Sequence, residues 1–206
     1  MPRSPESIAQ PKLAAVILAG GASTRMGADK AFLNWEGQPL LRRQIELVWA
    51  AGASTILISG RRGVDYSALG CTVVFDSMDG AGPLAGLVAA LRAVQPSHEW
   101  LLALAVDLPR MTSVYLNSLA SEVLKSELGL IPKRDAYFEP LAAVYPVGPT
   151  LTAAEAQLAA KHFALQKLAT TLVAQGKALP RTIAPGERNL FANWNDHAGP
   201  LPADGS

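Results

Sequence analysis

The sequence predicts an α/β protein whose layers are built on a mostly parallel sheet, and three observations carry that expectation. Two continuous apolar runs of strand length, residues 13–18 and 100–106, lack the polar alternation of a half-exposed strand and suit strands buried on both faces. Between them lie stretches with apolar residues at helical spacing. Strand and helix patterns alternate in chain order, which implies parallel strands joined by right-handed crossovers.

The elements follow in order. After the run at 13–18 comes a glycine-rich loop, then a helix from Pro39 onward with Leu40, Leu41, Ile45, Val48 and Trp49 at helical spacing and Gly52 as its stop. Residues 55–58 read as a second strand and 72–75 as a third. A loop over 76–82 leads to Pro83, which opens a helix with Leu84, Leu87, Val88, Leu91 and Val94 on one face. The buried strand at 100–106 follows, then a helix over 112–124, strands at 128–131 and 141–145, and Ala/Leu-rich scaffold helices within 151–175. One domain is expected over 12–198, with 1–11 and 199–206 as flexible ends. In parallel sheets ligands bind beyond the carboxyl ends of the strands, where the glycine-rich loop, Asp76 and Asp107 all fall.

Composition narrows the function classes. Half the residues are hydrophobic, 17% are charged and the formal net charge is +1, so there is no broad basic field for nucleic acid. Anion binding must come from local clusters such as Arg25 with Lys30, or the pairs Arg42-Arg43 and Arg61-Arg62; the four arginines of the pairs read as surface residues, with substrate phosphate as the alternative for Arg61-Arg62. The single cysteine, Cys71, has no disulfide partner within the chain and no zinc-ligand spacing around it, which suits a reducing cytoplasm. Met1 to Gln10 carries no long apolar stretch, so neither a signal peptide nor a membrane span is expected there. His98, His162 and His197 are scattered without metal spacing.

The richest segment is Leu18-Ala19-Gly20-Gly21-Ala22-Ser23-Thr24-Arg25-Met26-Gly27-Ala28-Asp29-Lys30. Glycines allow backbone N–H groups to approach phosphate oxygens, and two cations can balance phosphoryl charge. A Walker loop is excluded, since Gly21 and Gly27 are separated by five residues and Ala28 follows; adjacent Gly20-Gly21 excludes the dinucleotide fingerprint. The glycines alone fit a tight strand-to-helix turn equally well, and Arg25 with Lys30 shifts the balance toward phosphate. Asp107 before Leu108-Pro109 suits a turn, yet its place at the end of a buried strand favours a ligand role. Glu139 before Pro140-Leu141 reads evenly as an edge turn or a substrate contact.

Taken together, Leu-Ala-Gly-Gly, Arg25-Met26-Gly27 and Asp29-Lys30 closely resemble the molybdenum cofactor guanylyltransferases, which have the nucleotide-diphospho-sugar transferase fold. Gly82-Pro83-Leu84-Ala85-Gly86 resembles the family's second motif, Asp107-Leu108-Pro109 its acidic metal motif and Asn193-Trp194-Asn195 its paired asparagines. The resemblance covers roughly residues 12–196. It implies a three-layer α/β/α, Rossmann-like architecture and a Mg2+-dependent transfer of GMP from GTP to molybdopterin, with release of pyrophosphate. By the same resemblance Leu18, Ala19, Gly20, Gly21, Lys30, Asp76 and Asp107 bind nucleotide. Arg25, Lys30 and Asp107 carry the chemistry, Asp107 holds the metal, and Asn193 and Asn195 face the pterin. Molybdoenzymes or their chaperones are the implied protein partners. The chain departs from the family at Ile58-Ser59-Gly60, where an asparagine is common.

Three alternatives are weighed against this reading. The cytidylyltransferase branch of the same family is the nearest, and Leu-Ala-Gly-Gly favours the guanine branch over it. A sugar-phosphate nucleotidyltransferase fits Met26-Gly27 and Asp29-Lys30 less well. A non-catalytic cofactor carrier would bind without turnover.

Overall fold

The computed structural model describes residues 13–20, 30–76, 78 and 80–194. Strand β1 (Leu13–Leu18) is buried at every position, as its unbroken apolar run requires. A small hairpin, β2 (Asn34–Trp35) and β3 (Gln38–Pro39), leads into helix α1 (Leu40–Ala50). There follow β4 (Thr55–Ser59), β5 (Thr72–Val74), α2 (Pro83–Val94), the fully buried β6 (Trp100–Ala105) and α3 (Ser113–Ser126). The remainder comprises β7 (Gly129–Arg134), β8 (Tyr137–Phe138), β9 (Ala142–Pro146), α4 (Val147–Ala159), α5 (Leu165–Ala174) and β10 (Ala178–Thr182).

The main sheet has the order β10-β7-β9-β6-β1-β4-β5, with β8 paired to β7. β1 lies parallel to both β4 and β6, β5 parallel to β4, and β10 parallel to β7. β9 is antiparallel to both β6 and β7, so it alone runs backward along that path.

Alternation along each strand sorts the core into two halves. Ala15, Ile17, Leu102, Leu104, Ala142 and Val144 pack with Leu40, Leu41 and Val48 of α1 and Leu116, Leu119 and Val123 of α3. The intervening residues Ala14, Val16, Leu18, Leu101, Ala103, Ala143 and Tyr145 pack with Leu84, Leu87 and Leu91 of α2 and with α4 and α5. Helices therefore cover both faces of the sheet, giving three layers. No helix among the described residues is long and apolar enough to cross a membrane.

The structure departs from the sequence expectations in particular places. The strand expected over 100–106 ends at Ala105, where Val106 turns away into a loop. β10 carries no apolar run; Pro180 and its polar neighbours are accommodated because the strand lies at the sheet edge. The β2–β3 turn places Glu36 at φ 50° and Gly37 at φ 94°, with the Gly37 amide donating to Asn34 Oδ1 at 2.8 Å. Trp49, expected on the apolar face of α1, is 67% exposed, and the buried stripe is Leu40, Leu41, Gln44 and Val48 instead. The ends expected to be flexible lie outside the described residues.

The reversed strand is checked by one substitution. A methyl group added at Gly129 would approach Pro146 Cδ at 2.7 Å and the Val144 carbonyl at 3.0 Å, both on β9. Gly129→Ala is expected to destabilise the fold by about 1–3 kcal/mol, measured by urea denaturation.

Candidate active site

β1, β4 and β6 end in register, with Leu18 opposite both Ser59 and Ala105. Their pairing persists just past the strands: the Ala19 amide donates to the Ser59 carbonyl at 2.9 Å and the Val106 amide to the Leu18 carbonyl at 3.2 Å. Beyond these bonds the backbone diverges and a cleft of about 600 Å3 opens. Leu18, Ala19 and Gly20 line its floor, and Asp76, Gly82, Asp107 and Leu141 line its sides.

One wall is the start of α2. Gly82 has φ 60° and ψ −151°, a backbone conformation that in practice only glycine adopts, and Pro83 begins the helix with its φ preset. The first turn of α2 thus borders the cleft, where a helix N-terminus favours anions. Gly86 lets the helix settle on β4, because a methyl group there would run into Ser59 Oγ and Cβ. Ser59 is itself buried and lines the cleft.

Asp107, on the loop after β6, also lines the cleft. The loop is held from α1: Gln44, fully buried, donates through Nε2 to the Val106 carbonyl at 3.3 Å and the Leu108 carbonyl at 2.8 Å. Arg43 donates to the carbonyls of Pro109 at 2.9 Å and Met111 at 3.3 Å. That corrects the expectation of Arg43 as a surface residue, whereas its neighbour Arg42 is exposed and pairs with Glu46.

A third support comes from late in the chain. The Trp194 amide donates to the Asp107 carbonyl at 2.9 Å, and its ring meets Trp35 edge-on with centroids 5.4 Å apart. The segment before it is clamped to α3. Arg181 pairs with Glu187 at 3.1 Å and Glu122 at 3.7 Å, and its guanidinium lies 4.5 Å from the Tyr115 ring, which meets Phe191 edge-on. Burial, only partly opposed by Arg181, pushes the Tyr115 hydroxyl up to about 12.

A family model described as "MobA-like NTP transferase domain" matches residues 15–172, most of the chain. The chain belongs to the MobA-like NTP transferase family. It is 38% identical over 184 residues to a probable molybdenum cofactor guanylyltransferase of Opitutus terrae, spanning 89% of this chain and 90% of that protein. A probable molybdenum cofactor guanylyltransferase of Deinococcus radiodurans is 35% identical, with 87% and 82% covered. Among solved structures, molybdopterin-guanine dinucleotide biosynthesis protein A from Archaeoglobus fulgidus superposes with a TM-score of 0.66 at 24% identity, covering 88% of this chain and 92% of that one. The 2-C-methyl-D-erythritol 4-phosphate cytidylyltransferase of Thermus thermophilus shares the fold, with a TM-score of 0.63 at 18% identity over 88% and 92%.

In this MobA-like chain, the residues expected at the site from the sequence meet in part. Leu18, Ala19, Gly20, Asp76 and Asp107 line one cleft. Asn193 is exposed and directly precedes the residue bonded to Asp107. Gly21, Arg25, Asn195 and the side chain of Lys30 lie outside the described residues; the Lys30 backbone begins a short 3-10 turn, Lys30–Phe32. Glu139 does not line the cleft. Its carboxylate accepts from Arg134 at 3.2 Å, and burial raises its pKa against the pull of that arginine. Sequence reading missed Gln44 and Arg43, because an amide and a guanidinium on an amphipathic helix give no pattern that distinguishes them from solvated residues.

The contact between Gly86 and Ser59 is testable by a double-mutant cycle. Gly86→Ala should destabilise the protein by about 1–3 kcal/mol. Adding Ser59→Ala should recover a large part of the loss, since it removes the obstructing hydroxyl; urea midpoints of the four proteins measure the coupling.

Proposed function

We propose that this chain transfers the GMP unit of GTP to molybdopterin, forming the guanine dinucleotide cofactor and releasing pyrophosphate. The observation that carries this reading is the meeting of the Leu18–Gly20 backbone, Asp76 and Asp107 in one cleft at the strand ends, in a chain of the MobA-like family. A phosphate oxygen of molybdopterin attacks the α-phosphorus of GTP; the bond from that phosphorus to the β-phosphate bridge breaks, and pyrophosphate leaves with the electron pair. Alignment and charge balance are what the protein must supply, and no covalent enzyme intermediate is needed.

In this assignment the backbone at Ala19, Gly20 and Gly21 cradles the nucleotide, and Gly20, exposed at the cleft, suits it. Arg25 and Lys30 lie against the phosphates and stabilise the departing charge. Asp76 accepts hydrogen bonds from guanine or ribose donors. Asn193 and Asn195 face the pterin.

Asp107 is the metal ligand. It is half-buried, borders an open cleft and offers hard oxygen donors, which suits Mg2+. Mg2+ held by a single carboxylate fills its shell with phosphate oxygens and water. When bound, the cation supplies charge neutralisation on the phosphates. The reaction is assigned to the cytoplasm, with molybdoenzymes or their chaperones taking the product.

Incubation with molybdopterin, Mg2+ and either GTP, CTP or a sugar phosphate plus nucleotide should release pyrophosphate with GTP. Release with CTP alone would reassign the base, and binding without release would identify a carrier. Lys30→Ala should lower kcat by about 100-fold or more with little change in melting temperature. Asp107→Ala should in addition alter the Mg2+ dependence of the rate.

A further inference from the structure

We infer that Gln44 is a positioning residue for the Asp107 carboxylate, fixing the backbone on both sides of it from α1. The inference rests on the reading of Asp107 as the metal ligand. The Gln44 amide nitrogen donates to the carbonyl before Asp107 and to the carbonyl after it, at 3.3 and 2.8 Å. Asp107's own carbonyl accepts from the Trp194 amide at 2.9 Å. Three successive carbonyls are therefore anchored by two elements remote in sequence, and the direction of the Asp107 Cα–Cβ bond follows from them. That holds the root of the carboxylate in place, which is the condition for a pre-organised ligand.

Packing alone does not account for an amide at this position. Gln44 is fully buried on the apolar stripe of α1 between Leu41 and Val48, where leucine or methionine would fill similar volume. Its Oε1 is buried without a hydrogen-bond partner. The opposite amide orientation would turn that oxygen toward two carbonyl oxygens, so the donors face the loop and the acceptor goes unmatched. The Leu108 carbonyl also accepts from the Met111 amide at 3.2 Å; for the Val106 carbonyl, Gln44 is the partner. Arg43, one residue earlier, holds Pro109 and Met111 in the same manner. Consecutive residues of α1 thus grip consecutive parts of one loop.

The test uses the full chain and reads metal binding directly. Mn2+ is titrated by electron paramagnetic resonance in the presence of a GTP analogue that cannot be cleaved between its α- and β-phosphates, without acceptor. Gln44→Met, which keeps the volume and removes the donors, should weaken Mn2+ binding about 10-fold or more. In turnover it should lower the rate at limiting Mg2+, with partial recovery at excess Mg2+, a rescue that a general loss of packing would not give. Arg43→Met should weaken Mn2+ binding by a smaller factor, and decides the matter in the same way should Gln44→Met not fold. Wild-type Mn2+ affinity in the folded variants would overturn the inference. Asp107→Asn separates the two levels: if it loses Mn2+ while the α1 variants keep it, positioning by α1 is wrong. If Asp107→Asn binds Mn2+ normally, the metal assignment is wrong and the inference falls with it.

Discussion

The pairing of β1 on both of its edges is the constraint on which the rest of the structure depends. A strand flanked by parallel partners and buried on both faces leaves no polar group free except at its end. At that end, the Leu18 carbonyl and Ala19 amide are still held by the chains leaving β6 and β4. The cleft opens where these bonds stop. Its position is thus a property of the sheet. Gly82 supplies the positive φ from which α2 begins, and Gly86 lets that helix close on Ser59. Leaving out the side chain at Gly86 is as much a part of the cleft as supplying carboxylates.

Much of the frame was legible in the sequence because it rests on local signals. Unbroken apolar runs marked β1 and β6, and Pro83 with its periodic leucines marked α2. The reversal of β9 was not legible, since a buried strand has the same composition whichever way it runs. β10 was hidden because an edge strand can carry proline and polar residues, and Trp49 was misassigned because helical spacing does not reveal where a partner surface ends. Leu18, Ala19, Gly20, Asp76 and Asp107, expected together from their places at strand ends and from the resemblance, line one cleft. Gln44 and Arg43 had no such signal: their partners are carbonyls sixty or more residues away, and nothing in a helix's own periodicity reports a distant backbone.

Two kinds of support meet at the Asp107 loop. From α1 it receives side-chain donors to its carbonyls, that of Val106 among them. From the late segment it receives a backbone amide, backed by the Trp35–Trp194 contact and the Arg181 clamp. The first belongs to the layer beneath the sheet's end and the second to a peripheral wrap.

The bond between Trp194 and Asp107 also gives the cleft a remote dependency. Its two residues are as far apart in sequence as Leu18 and Ala105 in the β1–β6 pairing, yet it is one bond where that pairing is a ladder. The late segment can therefore come away without parting the strands of the sheet, and what leaves with it is one anchor of the loop bearing Asp107. Damage far from the cleft in sequence is expected to spare the secondary structure and to loosen that loop.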